Sequence, residues 1–205
     1  MPYFEKLDIL FIHIPKTGGS NIENFFLIYS NEQPHIHHLM SYNKNLKFNH
    51  HSLQHSTLRE YIEHHSFFNI SFSNHLKIIT VVRNPYERIM SDLFFLRLAS
   101  VHDTSIEIEK IIESYLSNSN TYDNHKIPQY QFLIDEKNKI YPKIKILKNE
   151  SLNQEMESIG FPEFKFYCEN VKPKSYMKYL SKKSIIMINN FYKKDFEYFN
   201  YSMII

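Results

Sequence analysis

The chain has 205 residues and a formal net charge of +2, which gives no case for a general nucleic-acid binder. Its single cysteine, Cys168, excludes a disulfide framework and a cysteine-based zinc site. No apolar run reaches about 18 residues and no basic-then-apolar leader opens the chain, so we expect a cytoplasmic protein without a membrane span.

Residues 7–29 predict a strand, a short loop and a helix. The apolar, β-branched run from Ile9 to Ile14 is typical of a buried strand. After the loop, apolar residues follow the i, i+3, i+4, i+7 spacing of a helix with one buried face: Ile22, Phe25, Phe26 and Tyr29.

The loop between them, residues 15–20 (PKTGGS), has the chemistry of an anion site. It contains two of the three glycines of the chain, and glycine lets backbone N–H groups turn towards a ligand. The helix N-terminus adds partial positive charge and Lys16 a full charge, so a phosphate or a sulfate fits best. An ordinary strand-to-helix turn is the alternative. The lysine precedes the glycines, the reverse of the GxxxxGK[ST] order.

The rest of the chain alternates between strand and helix patterns. Residues 30–54 are polar and rich in histidine, and they predict a long connection that borders a site. Ser56 is the expected N-cap of a helix within 55–65. The other predicted elements are strands over 77–82, 143–148 and 164–168, and helices over 85–99, 104–116, 127–134, 151–159 and 182–199. This alternation indicates an α/β fold, a three-layer sandwich with a central parallel sheet, in one domain over residues 1–205.

A second basic residue follows the strand at 77–82. In a parallel sheet, ligands gather at the carboxyl ends of the strands, where the 15–20 loop and Arg83 both stand. Ser91, two turns down the next helix, supplies a hydroxyl on that side. Alone, Arg83 would be read as a surface ion pair or a cap. Together with the loop, it predicts a nucleotide with two separated phosphates.

These two motifs resemble those of the sulfotransferases. IPKTGGS after a strand is similar to their 5′-phosphosulfate-binding loop, and RNPYERIMS (83–91) resembles their 3′-phosphate-binding segment. The pair is most similar to the carbohydrate O-sulfotransferase branch, which includes heparan and chondroitin enzymes and short bacterial relatives. HSTLREY (55–61), LKNESL (147–152) and FYKKDFEYFNY (191–201) extend the resemblance over nearly the full chain.

The resemblance implies a P-loop NTPase-like sulfotransferase fold and the donor 3′-phosphoadenylyl sulfate (PAPS). The sulfuryl group would move to a hydroxyl of a carbohydrate or another small acceptor. Lys16 would contact the bridging oxygen of the donor, and fixed N–H donors with this lysine would stabilise in-line transfer without a metal. By the same resemblance, the 5′ end is bound by Lys16, Thr17, Gly18, Gly19, Ser20 and Asn21, and the 3′-phosphate by Arg83 and Ser91.

The acceptor hydroxyl needs a base, and a neutral imidazole suits physiological pH. We choose His55 because it stands at the family-like position before a helix, between the two anion motifs. His50 and His51 are alternatives, and a surface role is the alternative for each of the twelve histidines. A metal site built from His35, His37, His38, His50 and His51 is not expected, because cysteine partners and an HExxH pattern are missing.

Several points stay open from the sequence. Asn149 stands where relatives often have an aromatic or basic residue, so the adenine contacts are unassigned. Lys172, Lys174 and Tyr176 border the nucleotide only by their position in the chain. A kinase with a degenerate phosphate loop and a non-catalytic nucleotide- or glycan-binding module are the alternative functions. The acceptor and the oligomeric state are not indicated.

Overall fold

Four strands form one mixed sheet in the described part of the computed structural model, which covers residues 3–31, 51–165 and 176–205. In sheet order they are β1 (Tyr3–Phe4), β2 (Ile9–Ile12), β3 (Lys77–Val82) and β4 (Ile144–Lys148). β2, β3 and β4 are parallel, as expected, but β1 is antiparallel to β2. The sheet is therefore mostly parallel. Its one antiparallel pair forms because a 3-10 turn over Glu5–Leu7 folds the first strand back onto its neighbour.

The strand predicted over 164–168 is not formed by the two of its residues that the structure describes, and 166–168 lie outside the described residues. Phe164 is buried, and its ring packs edge-on against Phe25 with 5.3 Å between the centroids. The apolar character that suggested a strand therefore serves contacts with a helix.

Seven α-helices are present in the described residues. They are α1 (Gly19–Ser30), α2 (Leu58–Glu63), α3 (Pro85–Phe95), α4 (Ser105–Ser117), α5 (Leu152–Ser158), α6 (Lys182–Phe191) and α7 (Lys193–Tyr198). The helix predicted over 85–99 ends earlier because Arg97 adopts left-handed backbone with φ 57°. The predicted closing helix is divided at Tyr192, and the segment at 127–134 forms only a 3-10 turn, Gln129–Phe132.

Helix α2 begins one residue later than predicted. Its N-cap is Thr57, whose hydroxyl accepts from the Glu60 N–H while the Thr57 N–H donates to Glu60 Oε2 at 2.6 Å. This reciprocal capping box leaves Ser56 outside the helix, where its hydroxyl donates to the carbonyl of Leu53. The spacing Thr-x-x-Glu was the sequence signal for this start.

Helices cover both faces of the sheet. Ile9 and Phe11 of β2 are buried in one cluster with apolar residues of α1 and α5. Leu10 and Ile12 point to the opposite face and lie in a second cluster with residues of α2. A third cluster joins α3, α4, α6 and α7. Because β2 is buried on both faces, the loop that follows it starts from a fixed position.

Some predictions fall on residues outside the description. Most of the connection at 30–54 does so, as do Cys168, Lys172 and Lys174. Within the described ranges, no helix is long and apolar enough to cross a membrane. The single domain over residues 1–205 stays a prediction.

Candidate active site

The 15–20 loop connects β2 to α1, so the predicted strand, loop and helix are all present. Its turn uses left-handed backbone at Lys16 (φ 66°) and Gly18 (φ 95°). Gly19 is required for a different reason, because a Cβ there would lie 2.8 Å from the ring of His13. One glycine therefore permits the turn, and the other permits close packing of the helix start.

Side chains from outside the loop bind three consecutive carbonyl groups. Arg88 Nε donates to Pro15 O at 3.0 Å, Arg83 Nη1 to Lys16 O at 3.3 Å, and Asn149 Nδ2 to Thr17 O at 2.7 Å. In a trans peptide, the N–H of the next residue points away from the carbonyl. The N–H groups of residues 16–18 therefore point away from these side chains, as an anion-binding loop requires.

The side chains of the loop differ in exposure. Thr17 is buried and its hydroxyl donates to Ile14 O at 2.8 Å, so its backbone N–H is the group left for a ligand. Ser20 and Asn21 are exposed on the first turn of α1. The ammonium of Lys16 lies 3.7 Å from the ring centroid of Phe95 at the end of α3.

Arg83 stands at the carboxyl end of β3, next to the loop, because β2 and β3 are neighbours in the sheet. Besides its bond to the Lys16 carbonyl, its guanidinium lies 3.5 Å from Glu87 and 5.8 Å from the ring of Tyr176. Tyr176 also contacts the buried Ser91. Burial raises the pKa of the Tyr176 phenol, while Arg83 and the hydrogen bond with Ser91 act against that rise. Arg83, Ser91 and Tyr176 thus form one neighbourhood.

His55 is buried and bound to Asp123, a residue that the sequence reasoning missed. Its Nδ1 lies 2.8 Å from Asp123 Oδ2 and 3.0 Å from the Asp123 carbonyl. Both of these oxygens are acceptors, so Nδ1 carries the proton and Nε2 keeps its lone pair. The carboxylate of Asp123 also accepts from the N–H and the hydroxyl of Ser52.

The environment of His55 favours the neutral imidazole. Burial lowers its pKa, and the charges of nearby His13 and His125 act in the same direction. The hydrogen bond and charge of Asp123 oppose this without reversing it. For Asp123, burial would raise the pKa, but the bonds from His55 and Ser52 outweigh it and keep the pKa low. The pair is a neutral base beside an ionised carboxylate.

The hydrogen bonds of His51 differ from those of His55. Its Nδ1 lies 2.8 Å from Ser52 O and its Nε2 lies 2.8 Å from Glu60 Oε1, so both ring nitrogens donate to acceptors. Burial opposes its charge, but the hydrogen bond and charge of Glu60 outweigh burial and raise the pKa of His51. No ring nitrogen of His51 is left to accept a proton. His35, His37, His38 and His50 lie outside the described residues.

The rings of His13 and His125 flank His55, with centroids 5.4 Å and 5.0 Å away. Each is also paired with a carboxylate: His13 Nδ1 lies 2.9 Å from Glu23 Oε2, and His125 Nδ1 lies 2.5 Å from Asp92 Oδ1. These pairs fix the packing around the base. No sequence motif links the three histidines. His13 follows β2, His55 ends a 3-10 turn, and His125 lies in a distant loop.

His55, Asp123 and His125 place candidate metal-ligating atoms within 4.8 Å of one another. His55 and Asp123 are already hydrogen-bonded to each other through His55 Nδ1. The arrangement fits a base and the carboxylate that orients it. That no metal is used stays a prediction.

This geometry agrees with the comparison with known protein families. A model of the Sulfotransferase family matches residues 3–123, more than half of the chain. The chain belongs to the Sulfotransferase family. The matched region contains the 15–20 loop, Arg83, Ser91 and both members of the His55–Asp123 pair. Neither the curated proteins nor the solved structures give a match.

Proposed function

We propose that the protein transfers the sulfuryl group of PAPS to a hydroxyl of a carbohydrate or another small acceptor. The observation that carries the proposal is the bond from Arg83 Nη1 to the Lys16 carbonyl, 3.3 Å long. Through this contact, Arg83 lies beside the 15–20 loop at one edge of the sheet. A donor with a phosphosulfate at one end and a phosphate at the other needs two adjacent basic sites.

The 5′-phosphosulfate would lie on the loop that precedes α1. Lys16 donates to the bridging oxygen, and the N–H groups of residues 17–20 surround the phosphate. The Asn21 N–H is already bonded to the Gly18 carbonyl, so Asn21 would contribute its side chain. The 3′-phosphate would lie beside Arg83, Ser91 and Tyr176. The bonds that hold the loop carbonyls support this assignment, because they orient the N–H groups before the donor arrives.

His55 is the base in this proposal. Its Nε2 takes the proton of the acceptor hydroxyl while the hydroxyl oxygen forms a bond to sulfur. The bond between sulfur and the 5′-phosphate oxygen breaks, and Lys16 stabilises the negative charge on that oxygen. The products are a sulfate ester and adenosine 3′,5′-bisphosphate. Asp123 holds the Nδ1 proton and with it the orientation of the ring.

Family membership supports sulfuryl transfer over the alternative of a kinase with a degenerate phosphate loop. A non-catalytic nucleotide- or glycan-binding module is the other alternative. The His55–Asp123 pair favours an enzyme over a module, because binding alone does not need a buried neutral base beside the donor site.

The deciding experiment is a thermal-shift titration with adenosine 3′,5′-bisphosphate and, separately, with ATP and Mg²⁺. A ligand that binds only the folded state at about 100 times its Kd adds about 2.7 kcal/mol of stability. We expect the bisphosphate to raise the melting temperature. Stabilisation by ATP and Mg²⁺ alone would contradict the proposal.

A transfer assay then separates the enzyme from the module. Labelled PAPS is offered with a panel of hydroxylated saccharides and small alcohols, and a sulfated product is expected with wild type. Bisphosphate binding without transfer to any acceptor in the panel would favour the module.

A further inference from the structure

Two side chains outside the assigned site lie between Lys16 and His55. The ammonium of Lys16 is 3.7 Å from the ring centroid of Phe95. The ring of Phe95 is stacked on His125, with 5.4 Å between centroids and 6° between planes. His125 in turn meets His55 edge to face at 5.0 Å. A continuous series of contacts therefore joins the lysine to the proposed base.

The His125 end of this series is anchored in the protein interior. Its Nδ1 lies 2.5 Å from Asp92 Oδ1, and the other oxygen of Asp92 accepts from the hydroxyl of Tyr115, also at 2.5 Å. Asp92 is 2% exposed. Arg88 Nη2 donates to the His125 carbonyl at 2.6 Å, and the same guanidinium binds the Pro15 carbonyl. Arg88 of α3 therefore holds both the loop and His125 in place.

Phe95 has a different character, because 60% of its surface is exposed. A single exposed apolar residue needs no special explanation. Here the ring makes two specific contacts, one with a cation and one with a buried imidazole. An ammonium over an aromatic face is attracted to it, most strongly where water is partly excluded.

We propose that the Phe95–His125 stack is a positioning element that sets the separation of Lys16 and His55 across the transferred group. This inference rests on the proposed function. In-line transfer puts the attacking and leaving oxygens on opposite sides of sulfur, so the base and the lysine act at the two ends of one axis. Small displacements of such groups reduce the rate strongly. The stack spans these two ends and is fixed to α3.

The test uses Phe95→Leu, which removes the ring, and Phe95→Tyr, which keeps it. Tyr198→Leu is the matched control, since Tyr198 is an exposed aromatic residue on α7. Because Phe95 is mostly exposed, its loss is expected to leave the melting temperature unchanged. A change in rate then reports on its contacts and not on folding.

Two measurements are made on each protein. The first is the NMR signal of the Lys16 side chain, assigned with Lys16→Arg. The ring should shift it upfield in wild type and in Phe95→Tyr but not in Phe95→Leu. The second is turnover at saturating donor and acceptor. We expect kcat to fall about tenfold in Phe95→Leu, which corresponds to about 1.4 kcal/mol, and to stay within about twofold in Phe95→Tyr. The Kd of the bisphosphate and the KM of the acceptor should not change.

Several results would overturn the proposal. One is a wild-type Lys16 signal without the ring shift, and another is an unchanged kcat in Phe95→Leu. A raised acceptor KM with an unchanged kcat would make Phe95 an acceptor contact and not a positioning residue. Failure of the proposed function is recognised separately, in wild type, as absence of bisphosphate binding and of transfer. That result removes the positioning role, while the NMR signal still decides whether the stack forms.

Discussion

The proposed donor side of the site depends largely on oriented backbone N–H groups, whereas the proposed base side is made of side chains. On the donor side, Arg83, Arg88 and Asn149 bind carbonyls and thereby orient N–H groups. On the base side, His55 depends on the carboxylate of Asp123, which depends on Ser52. A backbone site tolerates loss of one support because the chain still connects its donors. In a series of side chains, removal of one member weakens each member that depends on it, so the two sides should respond differently to substitution.

The largest effect is expected for His55→Ala. Loss of a general base lowers a rate by about 10²- to 10⁴-fold. Binding of the bisphosphate should remain within about twofold of wild type, because the donor loop is untouched. Turnover assays and a bisphosphate titration give the two numbers, with the exposed His75→Ala as control. Full activity in His55→Ala would remove this residue as the base.

Lys16→Ala comes next, with an expected loss of about 10²- to 10³-fold in kcat, the range for one donor to a developing charge. In contrast to His55→Ala, bisphosphate binding should weaken as well. Lys193→Ala is the control, since Lys193 is exposed and its ion pair with Glu197 is long, at 3.9 Å. If Lys16→Ala lowered turnover and left donor binding intact, Lys16 would act on the transferred group alone.

Arg88→Met tests a side chain that contacts both the donor loop and the segment around His125. Arg88 is buried and donates to the carbonyls of Pro15, His125 and Ile127. Its loss leaves two buried acceptors and one partly buried acceptor without this donor, and we expect a decrease of about 2–4 kcal/mol in the free energy of unfolding. Urea unfolding measures this decrease. A decrease below about 1 kcal/mol would mean that water replaces the guanidinium without difficulty.

Asp123→Asn affects only the base side. Because the orientation of the ring is weakened, kcat should fall about 10- to 100-fold, a part of the full contribution of the base. Asp123 acts to raise the pKa of His55, so its removal lowers that pKa further. The base acts when neutral, above its pKa, so the acid limb of kcat/KM should move to lower pH. A limb that moves to higher pH would contradict the assignment.

The smallest effect is expected for Asn149→Ala, which removes one support of the donor loop, the bond of 2.7 Å to the Thr17 carbonyl. A neutral hydrogen bond contributes about 1 kcal/mol, so bisphosphate binding should weaken about fivefold. The pH profile set by His55 should be unchanged. The Kd of the bisphosphate and the pH profile are measured on the same preparation. A shifted profile would show that the two sides are coupled through the loop.

The features that were predicted from the sequence are those encoded by residues close together in the chain. The 15–20 loop, Arg83 and Ser91 lie in short contiguous motifs next to strands, and parallel pairing of β2 with β3 brings the loop and Arg83 together. The Thr57-Glu60 capping box was equally local and was missed, because Ser56 offered a competing cap. The left-handed residue that shortens α3 is an arginine, a residue type that gives no warning of such backbone.

The features that were not predicted depend on contacts between distant segments. Asp123 is 68 residues from His55, Arg88 is 73 residues from Pro15, and Asn149 is 132 residues from Thr17. Hydrophobic periodicity locates elements but does not specify which polar side chains meet between them. Asn149 illustrates this, since a departure from the family pattern turned out to bind the loop itself. A hint for Asp123 was the Asp-Asn pair at 123–124, a composition that favours the left-handed turn found there.

The left-handed backbone of Lys16 makes opposite demands on folding and on chemistry. A non-glycine residue in this conformation raises the energy of the folded state by about 1 kcal/mol or more. Glycine would relieve that strain, yet it would remove the ammonium group on which the proposed reaction depends. Selection for stability alone would therefore drive position 16 towards glycine, and selection for turnover would restore lysine. If the proposed reaction is right, the loop sacrifices stability at Lys16 to keep the ammonium group.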